Sequence, residues 1–143
     1  MKISTKGRYA LRVIIDLAEQ NSDSYITLKE ISKRQGISMK YLESIISLLV
    51  KGDILIGLRG KGGGYKLTKS PDQITAAQIL ILTEGSIAPI ACLDAKAGTC
   101  SRAGECKTLP MWIELDRRIT EYLQSVTIAD LAASGDDIGH YII

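Results

Sequence analysis

Apolar residues recur at helical spacing early in the chain. Ala10, Val13, Ile14, Leu17 and Ala18 form one inward face of a helix over residues 7–20. Asn21-Ser22-Asp23-Ser24 breaks that pattern. Thr27-Leu28-Lys29-Glu30 is a capping box, in which the Thr27 hydroxyl and the Glu30 carboxylate each satisfy an orphan backbone donor. It opens a short helix that buries Leu28 and Ile31 and stops at Gly36. Ser38 caps a third helix, residues 39–51, with Leu42, Ile45, Ile46 and Leu49 inward. Gly52 stands where a left-handed C-terminal cap belongs. Two short helices joined by Gln35-Gly36-Ile37-Ser38 outline a helix-turn-helix, a weak signal alone because any helical corner resembles it. The pattern then shortens. Ile54-Leu55-Ile56-Gly57-Leu58 and Tyr65-Lys66-Leu67 read as paired strands around a basic glycine loop. A hairpin directly after a helix-turn-helix is a wing, so the expected fold is mainly α with a small β-hairpin.

Residues 76–143 continue differently. Thr75-Ala76-Ala77-Gln78 is a second capping box, and its helix runs to Gly85. A loop from Pro89 to Pro110 holds Gly98, Gly104 and every cysteine. A long helix over 110–125 places Trp112, Leu115, Ile119, Tyr122 and Val126 at alternating steps of 3 and 4. That narrow seam predicts dimerisation; packing on the helix-turn-helix is the alternative. Thr127 caps a short segment, Ile128 to Ala133, and a polar tail ends in Tyr141-Ile142-Ile143. The expected organisation is a DNA-binding unit over 1–75, followed by a loop, dimerisation helix and tail over 76–143.

Composition narrows the class. The 143 residues are 45% hydrophobic and 24% charged, which is globular and excludes disordered or collagen-like chains. No apolar run approaches the ~18 residues of a membrane span. Met1 to Arg8 is no signal-peptide core, so a cytoplasmic location is expected. Residues 1–75 hold 13 Lys and Arg against 7 Asp and Glu, a net of +6. Residues 76–143 hold 5 against 9, a net of −4. A basic front joined to an acidic back points to a polyanion partner for the front alone. Gly60, Gly62, Gly63 and Gly64 resemble a dinucleotide loop, but here the loop returns to a strand instead of opening a helix. His140 is the one histidine and has no evident nucleophile or carboxylate constellation, so no enzyme is expected.

The three cysteines, Cys92, Cys100 and Cys106, fall within fifteen residues as C-x7-C-x5-C. In a reducing compartment clustered thiols indicate metal, cluster or redox chemistry. Structural zinc prefers shorter C-x2-4-C pairs, whereas a loose glycine-containing thiolate loop suits an iron–sulfur cluster. Zinc and a thiol redox switch remain open alternatives. A small electron carrier would explain the cysteines but not the wing.

Three segments carry a resemblance over essentially the whole chain: Lys6-Gly7-Arg8-Tyr9-Ala10-Leu11, Ser38-Met39-Lys40-Tyr41-Leu42-Glu43, and Arg59-Gly60-Lys61-Gly62-Gly63-Gly64-Tyr65. Together with Glu84-Gly85 and the Trp112 helix, they resemble the IscR/CymR family of bacterial winged-helix regulators. The resemblance implies a homodimer on a partly palindromic duplex operator, and a cluster in a three-cysteine loop. The expected cluster is [2Fe–2S], with [4Fe–4S] as the variant. The chain looks like a CymR-like body carrying an IscR-like sensor. The expected function is cluster-responsive repression of iron–sulfur assembly or of cysteine and sulfur metabolism genes, with a cluster-free thiol-sensing repressor as the alternative.

In the major groove we expect Ser38, Lys40, Tyr41, Glu43 and Ser44. The resemblance gives Glu43 a base-reading or base-discriminating role. Arg59, Gly60 and Lys61 are expected on the minor groove or phosphate, and Lys2, Ser4 and Lys6 on the backbone. IscR-like proteins complete their cluster with a His three positions after the last cysteine. Here that position is Leu109. Some relatives use an acidic residue near position 8 of the other subunit, where this chain has Arg8. Glu105, Asp94, His140 or solvent remain as fourth ligand. CymR-type regulators pair with a cysteine-synthesis enzyme that accepts peptides ending in isoleucine, and Tyr141-Ile142-Ile143 is such an end.

Overall fold

A computed structural model describes residues 1–21 and 23–135. His140 and Tyr141-Ile142-Ile143, singled out above, lie outside the described residues. The first helix, α1, spans Thr5–Gln20 and begins two residues earlier than its apolar pattern suggests. Ser4 is the reason: its Oγ accepts from the Gly7 N–H at 3.1 Å and caps the first turn. The helix-turn-helix follows as α2 (Leu28–Gln35) and α3 (Met39–Lys51). Thr27 and Glu30 close their box in both directions, and Ser38 Oγ accepts from the Tyr41 N–H at 3.3 Å. Gly36 takes the left-handed turn between them, with φ +64°.

Gly52 departs from the sequence expectation. Its φ is −83°, so it is not a left-handed cap; the next residue, Asp53, takes that conformation at φ +58°. Gly52 leaves room for Leu82 instead. A Cβ there would collide with the Leu82 side chain, thirty positions away.

The wing pairs β1 (Leu55–Leu58) with β2 (Gly64–Leu67), antiparallel, from Leu55 opposite Leu67 to Leu58 opposite Gly64. Ile26, just before α2, adds a bridge to Tyr65 through bonds of 2.8 and 2.9 Å. Gly64 permits this approach, since a Cβ would strike the Ile26 backbone. The wing is thereby fastened to the base of the helix-turn-helix.

Beyond it come α4 (Ala76–Glu84), α5 (Leu109–Ser125) and α6 (Ile128–Ala133). The chain entering α6 returns to the front. Ala76 N–H donates to the Val126 carbonyl and Ile128 N–H to that of Ile74, at 2.9 and 2.8 Å. Ile128 is fully buried in one core with Ala10, Val13, Ile14, Leu42, Ile45, Leu49 and Ile79. Residues before and after position 75 therefore share a core. The aliphatic side chains of this core interlock without any phenylalanine, which the chain lacks. No helix among the described residues is long and apolar enough to cross a membrane.

Candidate functional site

The outer face of α3 is free of apolar packing. Lys40, Glu43 and Ser44 are exposed on it, and Arg59, Gly60 and Lys61 are exposed at the wing tip. Gly60 and Gly62 hold φ of +91° and +76° with open space around them, so the tip backbone is unshielded by side chains. A groove of about 670 Å³ runs between α3 and the wing and brings Glu43, Ser47, Lys51, Arg59 and Gly60 onto one surface. Ser47 and Lys51 were not singled out from sequence. Their signal was present, because 43, 47 and 51 recur every fourth residue along one helical face.

Other expected contacts are differently placed. Ser38 is exposed, but its Oγ is the α3 cap. Ser44 Oγ donates to the Tyr41 carbonyl at 2.7 Å. The Tyr41 ring is half-buried and meets Tyr9 edge-on, with centroids 5.9 Å apart. Lys2 is exposed and Lys6 half-buried, while the Ser4 hydroxyl donates to Glu84 Oε1 at 2.6 Å. Ser4 is thus committed to joining α1 to α4. Gly7 explains its place in the motif here, since a Cβ would collide with Glu84.

Between α1 and α2 lies a polar cluster absent from the sequence expectations. Asp16 is only 3% exposed. Its carboxylate receives Arg34 Nε and Nη2 at 2.9 and 2.8 Å, plus Gln35 Nε2 at 3.1 Å. This fork-to-carboxylate geometry ties α1 to α2, and the bond to Asp16 holds the Arg34 guanidinium more firmly protonated than usual. The available signal was a carboxylate three positions after Val13, inside an apolar stripe.

The second candidate centre is the loop between α4 and α5. All three thiols are free and exposed, and all three line one cavity of about 370 Å³ with Thr99, Thr108, Leu109 and Trp112. Cys106 lies three positions before the start of α5, and its Sγ lies 3.5 Å from Thr108 Oγ1. That hydroxyl, followed by the backbone N–H groups of Thr108 and Leu109, holds the Cys106 thiol below its ordinary pKa. The donor set is therefore three sulfurs around an otherwise largely apolar space.

No three His, Cys, Asp or Glu side chains among the described residues converge on a single ion position. A zinc centre needs its ligands about 2.0–2.3 Å from one point. A polynuclear cluster spreads its thiolates over more than one metal, and three cysteines are the kind of donor it takes. The fourth-ligand candidates are less well placed. Asp94 accepts from the Lys96 N–H at 2.9 Å and faces a neighbouring pocket shared with Met1, Lys2 and Glu84. Glu105 is exposed and is absent from the cavity wall. Leu109 supplies only hydrocarbon, and Arg8 donates to Thr5 Oγ1 at 3.2 Å. The oxygen-bearing side chains on the wall are Thr99 and Thr108.

Residues 3–134 match the family model described as Rrf2, iron-dependent transcriptional regulator. The chain belongs to the Rrf2 family. It is 37% identical over 134 residues to the HTH-type transcriptional regulator IscR of Sodalis glossinidius (strain morsitans), covering 94% of this chain and 80% of that one. Among solved structures it is similar to CymR, the global cysteine regulator of B. subtilis. There the identity is 36% and the TM-score 0.76, over 95% of this chain and 99% of that one. It is also similar to T. potens IscR, with 29% identity and a TM-score of 0.73, over 100% of this chain and 93% of that one. The IscR/CymR resemblance and the mainly helical fold with a hairpin wing are thereby established. This protein is an Rrf2 transcriptional regulator; its relatives are named regulators, not enzymes.

One Rrf2 element remains conspicuously open. No residue of α5 is buried, and Met111, Ile113, Leu115 and Tyr122 are exposed apolar side chains along it. The expected seam divides: Trp112, Ile119 and Val126 are half-buried, whereas Leu115 and Tyr122 face outward at 39% and 68% exposure. Leu123, outside the seam, packs on Ala77, Leu80 and Ile87.

Proposed function

We propose that this Rrf2 protein is an iron–sulfur-responsive repressor acting as a homodimer on partly palindromic duplex DNA. Residues 1–75 carry the DNA-reading surface, and the remainder carries the sensor loop and dimer helix. Lys40, Glu43 and Ser44 enter the major groove, with Ser38 and Tyr41 supporting the helix that presents them. Arg59, Gly60 and Lys61 approach the minor groove or phosphate, and Lys2 and Lys6 add backbone contacts. Glu43 accepts from a cytosine amino group and penalises other bases at that position. The genes served belong to iron–sulfur assembly or to cysteine and sulfur metabolism.

Cys92, Cys100 and Cys106 hold the cluster, of the [2Fe–2S] type. The observation that carries this reading is the convergence of all three thiols on one cavity at the foot of α5. When bound, the cluster supplies a centre whose presence and redox state follow iron and oxidant supply. The chain's own part is to present thiolates, Cys106 most readily, and to wall them with Leu109 and Trp112. No carboxylate or imidazole of the described residues lies on the cavity wall, so the fourth position falls to a Thr99 or Thr108 oxygen, to solvent, or to His140, which lies outside the described residues. Such a cluster is readily lost, which suits a sensor.

Anaerobic purification and reconstitution, followed by iron, sulfide and visible-absorption measurement, tests the reading. Iron and sulfide in equal amounts with charge-transfer bands are expected, and Cys92→Ala, Cys100→Ala or Cys106→Ala should each largely abolish retention. A colourless, iron-free protein would overturn it. The exposure of the three free thiols favours one second reading, a cluster-free thiol switch. That reading expects the colourless protein together with operator binding that changes on reversible oxidation.

A further inference from the structure

Arg12 lies on the exposed side of α1, beside the turn that joins α2 to α3. Its Nε donates to Gln35 Oε1 at 3.1 Å, and its Nη2 donates to the Gln35 carbonyl. Its guanidinium carbon is 4.9 Å from the centroid of the Tyr9 ring. Tyr9 in turn meets Tyr41, in the first turn of α3, edge-on at an interplanar angle of 74°. On the other side, the Gln35 amide nitrogen donates to Asp16, which is already held by Arg34. One unbroken run of contacts thus leads from a buried carboxylate in α1, through the last residue of α2, across Arg12, to the start of α3.

Each link has a physical reason. The Gln35 carbonyl is among the last four of α2 and has no intrahelical partner, so a cation there satisfies it and opposes the negative end of the helix dipole. A planar guanidinium can make that bond and still lie against an aromatic face, which fixes it from two directions. The N–H groups pointed at Gln35 are then withheld from phosphate. The basic front half therefore contains at least one arginine whose position argues against a purely electrostatic role.

We propose that Arg12 is a specificity-determining positioning residue. It clamps the Gln35 end of α2 to the Tyr9–Tyr41 pair, fixes the pitch of α3, and does not neutralise DNA phosphate. Base readout depends on Lys40, Glu43 and Ser44 reaching base edges together, and a slack turn misplaces all three at once. Phosphate contacts made by flexible lysines tolerate the same slack.

The test uses the full-length protein, a duplex selected by it from a random pool, and a scrambled duplex of the same composition. For Arg12→Ala we expect affinity for the selected duplex to fall about tenfold, on the scale of one mismatched base pair. Affinity for the scrambled duplex should stay within about twofold, with the slope of log affinity against log salt unchanged. Arg12→Lys should recover only part of the selectivity, because an ammonium can bond the Gln35 carbonyl but lacks the planar fork that also reaches Gln35 Oε1 and stacks on Tyr9. Tyr9→Leu should lower selectivity in the same direction, and the double variant should be no worse than the poorer single one. Equal losses on both duplexes with the salt slope reduced by about 0.9 would make Arg12 a phosphate contact and overturn the proposal. Unchanged selectivity in Arg12→Ala, or fully additive losses in the double variant, would also overturn it.

Discussion

The helix-turn-helix front and the cysteine-loop segment behind it are built to different standards of completeness. In the front, each helix is capped by its own side chain, the ionic group Asp16 has three donors, and α1, α2 and α3 all contribute buried residues. In the segment from Pro89 to Ser125, three thiols stand exposed around a cavity, and a seventeen-residue helix has no fully buried residue. α5 also lacks a side-chain cap, since Thr108 turns its hydroxyl to the Cys106 sulfur. The contrast separates what the chain finishes alone from what it leaves for others. A reader of DNA must be rigid before it meets its target. The segment behind leaves its surfaces open, with three exposed thiols and exposed apolar side chains along α5.

That contrast is open to attack, beginning with the core. Ile128→Ala should cost about 2–5 kcal/mol in denaturant unfolding, because it opens a cavity among fully buried neighbours. Ile113→Ala, on the exposed part of α5, should cost below about 0.5 kcal/mol. Similar losses at both sites would erase the distinction. Next in size is assembly. Leu115→Glu should convert dimers to monomers in sedimentation while the far-UV spectrum is unchanged; dimers of undiminished stability would remove α5 from the interface.

Smaller effects test the reading face. Arg59→Ala should weaken binding to any duplex and reduce the salt slope by about 0.9. Glu43→Ala should instead relax base choice at one position of a selected operator with little loss of affinity. Binding assays in which the two variants behave alike would deny the groove its division of labour. The smallest effect follows from titration. Glu30, Asp130 and Glu114 all have carboxyls below their ordinary range, the first two through Thr27 and Thr127 and the third, at about 2, through Arg117 and Arg118. Groups with lowered folded pKa stabilise above their unfolded values and lose that contribution as pH falls through the folded ones. Thermal stability should therefore be level above about pH 4.5 and decline towards pH 2. Thr27→Ala should flatten part of that decline.

Local rules made much of the front legible. The boxes at Thr27–Glu30 and Thr75–Gln78, and the Ser38 cap, each depend on residues within one turn. The Thr127 cap was equally visible, although its closing partner is Asp130 instead of the usual Glu or Gln. What escaped was decided across distance. Gly52 answers to Leu82, Ser4 to Glu84, and Asp16 to Arg34 and Gln35, none of which a local pattern links. In the segment behind, the three cysteines stood out in sequence by their clustering. Their shared cavity did not, because it is formed by turns such as Ala97 to Asp94 and Ala103 to Cys100 that follow no simple periodicity.

The return of the chain at Ile128 has a consequence for synthesis. Ile128 completes a core begun by α1, and its backbone is bonded to Ile74 across more than fifty intervening residues. On the ribosome, the first helix must wait for the chain to reach Ile128 before its apolar face is fully covered. The wing and recognition helix emerge early but are locked only after the cysteine loop and α5 have been made. Order of translation thus delays completion of the front until the segment behind it has been made. A nascent chain stopped at residue 126 should show weak amide-exchange protection in α1, and one extended to residue 135 should show full protection.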